Sequence, residues 1–327
     1  MRVLITGGAG FLGALLARRI LAEGSVTVAG RSGSVDELVL LDLVAPPEDL
    51  AGDGRVRVLT GGLVDLMPDA PDVDLVLHLA GVVSGAAEAD FDAGMAGNVD
   101  GTRAVLERCR RQTEPPVLVF SSSLAVFGQD PALPRLDVVE DDTFPHPQTS
   151  YGTQKLIGEL LVADYSRKGF VDGRTVRLMT VSVRPGRPNA AASGFLSGII
   201  REPVAGIRAV CPVPPDTEVA LSSPRRTADG ILAAAAADGE RWGSRAAMTL
   251  PGITTTPREM AAALDRVAGE GTSDLIDWRV DPGIAAMIDS WPARFRTARA
   301  EALGLRPERT FDDIVRAHLE DQRSSAV

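Results

Sequence analysis

The chain opens on an apolar run, Val3-Leu4-Ile5, that passes through Thr6 into Gly7-Gly8-Ala9-Gly10 and then into Phe11-Leu12-Gly13-Ala14-Leu15-Leu16-Ala17-Arg18-Arg19-Ile20-Leu21. The first run is short, β-favouring and apolar on both faces, as a buried parallel strand is. The last has apolar residues at helical spacing. The alternation then repeats. Val56–Thr60, Asp74–Gly81, Val117–Phe120 and Val176–Val183 read as strands, the last stopped by Pro185, and residues 88–112 and 151–166 read as helices between them. Strands alternating with helices predict an α/β fold of the Rossmann type, a doubly wound parallel sheet. Beyond Pro185 the texture changes to frequent proline and glycine, with helical patches near 193–202, 226–238, 257–269, 294–303 and 310–320. The expected division is a dinucleotide-binding domain over 1–183 and a smaller C-terminal substrate-binding lobe over 184–327, with segments that can return to the first domain.

Two segments compete for the second strand, Val26–Arg31 and Glu37–Asp42. The choice matters because the tip of that strand reads the adenosine ribose. Arg31 there would welcome a 2′-phosphate and imply NADP; Asp42 would accept hydrogen bonds from the ribose hydroxyls and imply NAD. Asp42 lies 29 residues beyond Gly13, farther than the usual ~20. Residues 38–43 are nevertheless the more apolar run, as a buried parallel strand requires, so the reading favours Asp42 and NAD.

Strand, glycine turn and helix in that order make a phosphate site credible. Gly7 lets the chain turn, Gly10 leaves room for a pyrophosphate, and Gly13 lets the helix pack close. The helix N-terminus at Phe11 and Leu12 offers amides and a partial positive charge to phosphates. Small residues Ala80 and Gly81, after Leu79, would let a dinucleotide pass near the backbone. Tyr151 and Lys155 stand at i and i+4 and share a helix face. A tyrosine ordinarily ionises near ~10, and a neighbouring ammonium stabilises its phenolate. The chain has only two tyrosines and two lysines, so this pairing carries weight. Ser121-Ser122-Ser123 ends a buried strand at the ligand-facing edge of such sheets. Asn98 is read as shaping a helix or holding a water in a proton relay, and His78 as a packed strand residue.

Composition narrows the partners. Hydrophobic content is 45% and charged content 24%, ordinary for a globular chain, and the formal net charge of −10 argues against nucleic acid and against an anionic membrane surface. Cys109 and Cys211 show no metal or redox spacing. No signal segment or apolar span is recognisable, and a cytoplasmic address is expected.

At Gly7, Gly10 and Gly13, His78-Leu79-Ala80, Asn98 in its N-V-x-G-T setting, Ser121–Ser123 and Tyr151–Lys155, the chain resembles the extended branch of the short-chain dehydrogenase/reductase superfamily. The resemblance covers the first ~185 residues. It implies a catalytic set of Ser123, Tyr151 and Lys155, assisted by Asn98, with no metal. It implies cofactor contacts from Gly7, Gly10, Phe11, Leu12, Gly13, Asp42, Leu63, Leu79, Ala80, Gly81, Asn98, Ser121, Tyr151, Lys155, Thr180 and Val181. A Gly-Asp pair often follows the third strand in such proteins; here Gly61-Gly62 stands instead, leaving that contact to the Leu63 backbone. It also implies a homodimer through residues 88–112 and 151–166.

A narrower resemblance lies in Ser84–Phe91, Arg184–Ser193, Gly198–Pro203, Cys211–Asp216 and Ser223–Arg226. These are similar to members that oxidise the C2 hydroxyl of small sugar acids such as D-erythronate. A hydroxy-acid carboxylate calls for cations or several donors, and the candidates for substrate contact are Ser84, Ser123, Tyr151, Asn189, Ser193, Arg201 and Arg226. Two alternatives stay open: a nucleotide-sugar epimerase or dehydratase on the same scaffold, and a dinucleotide-binding protein without catalysis.

Overall fold

The computed structural model describes residues 1–130, 132–134, 136–186 and 191–325, the side chains of 324 and 325 excepted. The chain divides into two compact units. The first comprises Met1–Val126, Thr149–Arg177 and Ala228–Met248; the second comprises Phe127–Gln148, Leu178–Thr227 and Thr249–Val327.

The first unit is built on a central sheet. Its strands are β1 (Arg2–Thr6), β4 (Glu37–Asp42), β5 (Val56–Thr60), β6 (Leu75–His78), β7 (Val117–Ser123) and β8 (Asp172–Leu178); β2 (Ser25–Val28) and β3 (Arg31–Ser34) lie outside it. The order across the sheet is β5-β4-β1-β6-β7-β8, closed by the two-residue strand Met248–Thr249. Strand β1 pairs in parallel with both β4 and β6, so the order reverses there, and ligands of open α/β sheets bind beyond the carboxyl ends of the strands at such a point. The sheet forms because its strands are apolar on both faces: Val3, Ile5, Leu38, Val39, Leu75, Val76, Leu77, Val119 and Phe120 are all fully buried. Val105, Leu106, Cys109 and Val162 pack on one face of it.

The competition for the second strand is resolved here. Glu37–Asp42 pairs with β1 from Arg2↔Glu37 to Thr6↔Leu41. Val26–Arg31 belongs instead to an antiparallel hairpin, β2 with β3. Its turn is Ala29-Gly30, both with positive φ, 47° and 77°, the backbone of a two-residue hairpin turn. That inserted hairpin accounts for the long spacing from Gly13 to Asp42.

Two elements differ from the sequence reading. Residues 88–112 are not one helix: Ser84–Ala89 ends, Asp90 turns extended and caps a new start at Phe91, and the chain continues through a π-helical stretch, Met95–Asp100, into Gly101–Arg110. Residues 176–183 are not one strand: β8 ends at Leu178, and Thr180–Val181 pairs in parallel with Val219–Ser222 in a three-stranded sheet of the second unit.

That second unit has its own core. Leu196, Ile199 and Ile200 pack with Leu221, Met260, Leu264, Ile314 and Val315. The helix Pro257–Ala268 starts with a capping box, Thr256 and Glu259 bonding each other's backbone. Among the described residues no helix is long and apolar enough to cross a membrane.

Candidate active site

The glycine turn is built by close approach. Gly7 has φ +73°, and a Cβ there would lie 2.8 Å from the Ala80 amide nitrogen. At Gly13 a Cβ would fall 2.1 Å from the Gly7 carbonyl oxygen, whereas at Gly10 the same oxygen is its only neighbour, at 3.2 Å. Gly7 and Gly13 are therefore needed for packing, and Gly10 stands at the open, exposed side. The helix Phe11–Glu23 carries no side-chain cap at its N-terminus, Gly10. Uncapped amides on a helix end suit a pyrophosphate, so the residues present fit a dinucleotide. At the tip of β4 the Asp42 carboxylate accepts the Ala9 amide at 3.0 Å and the Leu43 amide at 2.7 Å. Asp42 is half-buried, and a ribose diol could be held by this fixed carboxylate. After β5, Gly61 donates to the Asp42 carbonyl at 2.8 Å and Gly62 starts the short helix Leu63–Leu66, so the Leu63 amide stands at a helix start.

Across β1, the end of β6 is locked by His78. Its ring is fully buried, with Nδ1 2.7 Å from Thr6 Oγ1 and Nε2 3.0 Å from Thr102 Oγ1. Burial, then the charge on Lys155, pushes the imidazole down to about 3. Leu79 and Ala80 follow, half-buried, and Gly81 is exposed. A Cβ on Gly81 would lie 2.6 Å from Asn98 Oδ1 and 3.3 Å from Lys155 Nζ, so this glycine lets three segments meet.

Asn98 sits in the π-helical stretch and is 1% exposed. Its Oδ1 accepts from the Val82 amide at 2.8 Å, and its Nδ2 donates to the Val82 carbonyl at 3.0 Å and to Gln154 Oε1 at 2.8 Å. The side chain is thus a clamp on the segment after β6, with its amide hydrogens already used; its backbone carbonyl accepts from Thr102 Oγ1 at 2.6 Å.

The helix Ser150–Arg167 begins with Thr149 as its cap, the threonine oxygen accepting from the Gly152 amide at 3.1 Å. Tyr151 is therefore in the first turn, half-buried, with Lys155 one turn on. Lys155 is 4% exposed; its Nζ donates to the Ser121 carbonyl at 2.9 Å and lies 5.8 Å from the centre of the Tyr151 ring. Burial lowers the Lys155 ammonium to about 8 against an opposing pull from Glu159. Ser121 Oγ donates to the His78 carbonyl at 3.0 Å, and Ser122 Oγ donates to Glu159 at 2.5 Å. Both are buried and committed. Ser123 is half-buried, and its Oγ accepts the Ala125 amide at 3.1 Å, which fixes the oxygen while its own hydrogen remains to donate. Ser123, Tyr151 and Lys155 together could bind a hydroxyl and move its proton. Ser84, buried, opens the helix Ser84–Ala89 in the same unit.

The remaining substrate candidates belong to the second unit. Ser193 Oγ accepts from Arg184 Nη2 at 3.1 Å. Arg201 spends Nη1 on the Arg184 carbonyl at 2.8 Å and Nη2 on Glu202 at 2.5 Å, so its charge is largely answered by its neighbour. Arg226 is exposed near the start of Pro224–Ala236. Thr180 and Val181 form the short strand beside Val219–Ser222. Asn189 lies outside the described residues.

Sequence reasoning passed over Glu159, Arg177, Gln154 and Val82. Glu159 had a visible signal: it continues the spacing of Tyr151 and Lys155 to i+8, on the same helix face.

The family model of the NAD dependent epimerase/dehydratase family matches residues 3–214. A D-erythronate dehydrogenase of Cupriavidus necator is 50% identical over 325 residues, 98% of each chain. A D-erythronate dehydrogenase of Haemophilus influenzae is 40% identical over 328 residues, 98% of this chain and 99% of its own. The solved structure of a nucleoside-diphosphate-sugar epimerase from Agrobacterium tumefaciens has a TM-score of 0.88 at 39% identity, covering 99% of this chain and 95% of its own. With matches of this length on the fold described above, the chain belongs to the NAD-dependent epimerase/dehydratase family, as a dehydrogenase of the extended short-chain type that uses NAD.

Proposed function

We propose that the protein oxidises the C2 hydroxyl of D-erythronate, or a closely similar small sugar acid, to the 2-keto acid. The observation that carries this reading is that two relatives matching nearly end to end, at 50% and 40% identity, are both D-erythronate dehydrogenases. In this reading Tyr151, as phenolate, removes the proton from the substrate hydroxyl. Ser123 donates to the same oxygen and holds it in line. Lys155 supplies the positive charge beside the tyrosine ring and binds the nicotinamide ribose. Bound NAD supplies the hydride acceptor. Gly7, Gly10, Gly13 and the amides of Phe11 and Leu12 hold the pyrophosphate; Asp42 reads the adenosine ribose. Leu63, Leu79, Ala80, Gly81 and Ser121 complete the cofactor contacts in the first unit. Asn98 acts through the Val82 segment it clamps. Ser84 is assigned to the acid; within the second unit Arg201, already paired with Glu202, braces Arg184.

The test is NADH formation by the purified protein with D-erythronate, its stereoisomers and D-glycerate, beside a Tyr151→Phe variant. Turnover is expected with the tetronic acid. The variant is expected to bind NAD and to lose about 10²–10⁴ in kcat, the range of a general base. Near wild-type turnover by Tyr151→Phe would remove the assigned base. One observation favours a second reading: the Agrobacterium tumefaciens structure, at 39% identity, carries the name of a nucleoside-diphosphate-sugar epimerase. Silence with every acid, together with saturable binding of a UDP-sugar, would select it.

A further inference from the structure

The least exposed charges around the Tyr151–Lys155 helix are not the lysine alone. Glu159, one turn beyond Lys155, is 5% exposed, and Arg177, near the end of β8, is also 5% exposed. The two form a forked pair: Arg177 Nε donates to Glu159 Oε1 at 2.9 Å and Nη2 to Oε2 at 2.7 Å. Ser122 Oγ adds a third bond to Oε1. Burying a carboxylate this deeply is costly unless it is paired and hydrogen-bonded, as it is here.

This arrangement ties the helix to the end of β7 at two consecutive residues. Lys155 Nζ reaches the Ser121 carbonyl, and Glu159 receives the Ser122 hydroxyl. Ser123 is the next residue. The same two bonds therefore set the height of Ser123 against Tyr151 along the helix axis.

The carboxylate also answers a charge. Among the described residues, the ionisable groups facing Lys155 are Tyr151 and Glu159 on its own helix and His78 on β6, with Arg177 on β8 behind Glu159. His78 is bonded on both ring nitrogens to threonine hydroxyls and neutral, and the neighbours from β7 are Phe120 and the Ser121 carbonyl. Among the described residues Glu159 is then the one negative charge set against the burial of Lys155.

We infer that Glu159, clamped by Arg177 and Ser122, is a positioning residue that keeps Lys155 charged and in register beside Tyr151. This rests on the role of Tyr151 and Lys155 proposed above, and its test is independent of turnover. The chain contains two lysines, Lys155 and the exposed Lys168, so ε-¹³C-lysine NMR resolves both and provides an internal reference. In the wild-type chain the Lys155 midpoint is expected near 8. In Glu159→Gln it is expected to fall by at least about one unit, since a nearby opposite charge holds up a cation by 1–3 units, while Lys168 stays put.

Glu159→Gln leaves Arg177 buried without its partner, which pushes in the same direction and endangers the fold. Glu159→Leu with Arg177→Met removes both charges at similar volume, a change that buried pairs commonly tolerate. The Lys155 midpoint is expected to fall there too. Ser122→Ala keeps the charge and is expected to leave the midpoint unchanged. A double variant with the wild-type midpoint would overturn the inference, even if Glu159→Gln were shifted, because the effect would then belong to the orphaned arginine. The titration needs no substrate, so a failure of the D-erythronate reading, seen in the NADH assay, is distinguishable from a failure here.

Discussion

Gly13→Ala is the sharpest perturbation the glycine turn offers. The added carbon would stand 2.1 Å from the Gly7 carbonyl oxygen and 2.9 Å from the Gly8 α-carbon. Both are backbone atoms, so no side chain can rotate away; the helix start or the Gly7 peptide must move by about an ångström to restore ordinary contact. Gly7 is held on both sides, its amide donating to the Leu41 carbonyl at 2.8 Å and its carbonyl accepting from Gly10 at 3.1 Å. Overpacking costs about 1–3 kcal/mol, and losing the Gly10 bond adds about 1 kcal/mol. A loss of roughly 2–4 kcal/mol follows, or about 5–15 °C in melting temperature at ~2–4 °C per kcal/mol. Gly10→Ala is the paired comparison: its carbon meets one atom, at 3.2 Å, so melting should move little while NAD affinity drops, because that carbon occupies the pyrophosphate side. Gly54→Ala, with nothing within 4 Å, is the control. Thermal melting without NAD and a fluorescence titration with NAD read the two effects separately. A Gly13→Ala protein melting within about a degree of wild type would refute the packing argument; Gly10→Ala with wild-type NAD affinity would refute the assignment of that side to the cofactor.

The tip of β4 predicts cofactor choice: Asp42→Ala should weaken NAD by about 10–100-fold, as the loss of charged hydrogen bonds worth ~1.5–3 kcal/mol implies, and should narrow the preference over NADP, both read from KM values. Asn98→Ala strips partners from both the Val82 amide and its carbonyl; about 2 kcal/mol of stability should go, at ~1–3 kcal/mol for an orphaned buried group, measured by urea unfolding. His78 gives a pH dependence. Its folded pKa of about 3 lies below the 6.5 of a free histidine, so the unfolded chain binds the extra proton between those values and stability falls as pH drops through that window. At ~1.4 kcal/mol per unit, this group alone removes about 2 kcal/mol between pH 6.5 and 5. Urea midpoints across that range should slope less in His78→Asn than in the wild type; equal slopes would mean that His78 is not the proton acceptor.

The strands of the central sheet and the glycine turn were legible because both rest on local patterns: apolar runs of strand length, and glycines where backbone meets backbone. The strand ending at Asp42 was legible by burial alone, against the spacing rule, because a parallel strand between two others must be apolar on both sides. The β2–β3 hairpin was not, since its turn places Ala29 at a positive φ where Asn, Asp or Gly would have announced it. The break at Asp90 and the switch at Met179 were hidden for another reason. Helical and strand periodicity continue through them, and only tertiary partners decide that Thr180 leaves one sheet for another. Of the candidate site, residue type and spacing put Tyr151 and Lys155 on one helix face, and the Lys155 ammonium lies 5.8 Å from the Tyr151 ring. Arg177 could not be found that way: it sits in a strand between apolar neighbours, and the carboxylate that explains it lies 18 residues earlier in the chain.

One buried side chain bears on where this chain can be divided. Arg174 on β8 is 0% exposed; it forks onto Asp172, donates through Nη1 to the carbonyls of Ala234, Ala235 and Ala237, and lies against Trp242. The hairpin turn is stitched to the same place, Ala29 and Gly30 donating to the Ala235 and Ala236 carbonyls. A gene cut after residue 183 or 227 would thus translate into a nucleotide-binding half whose innermost cation faces a missing helix end, and whose hairpin has lost its anchor. Separate expression of that half should yield aggregates unless residues 228–248 are supplied. Split-protein complementation, circular permutation and domain grafting on this scaffold should therefore place their breakpoints outside that stretch.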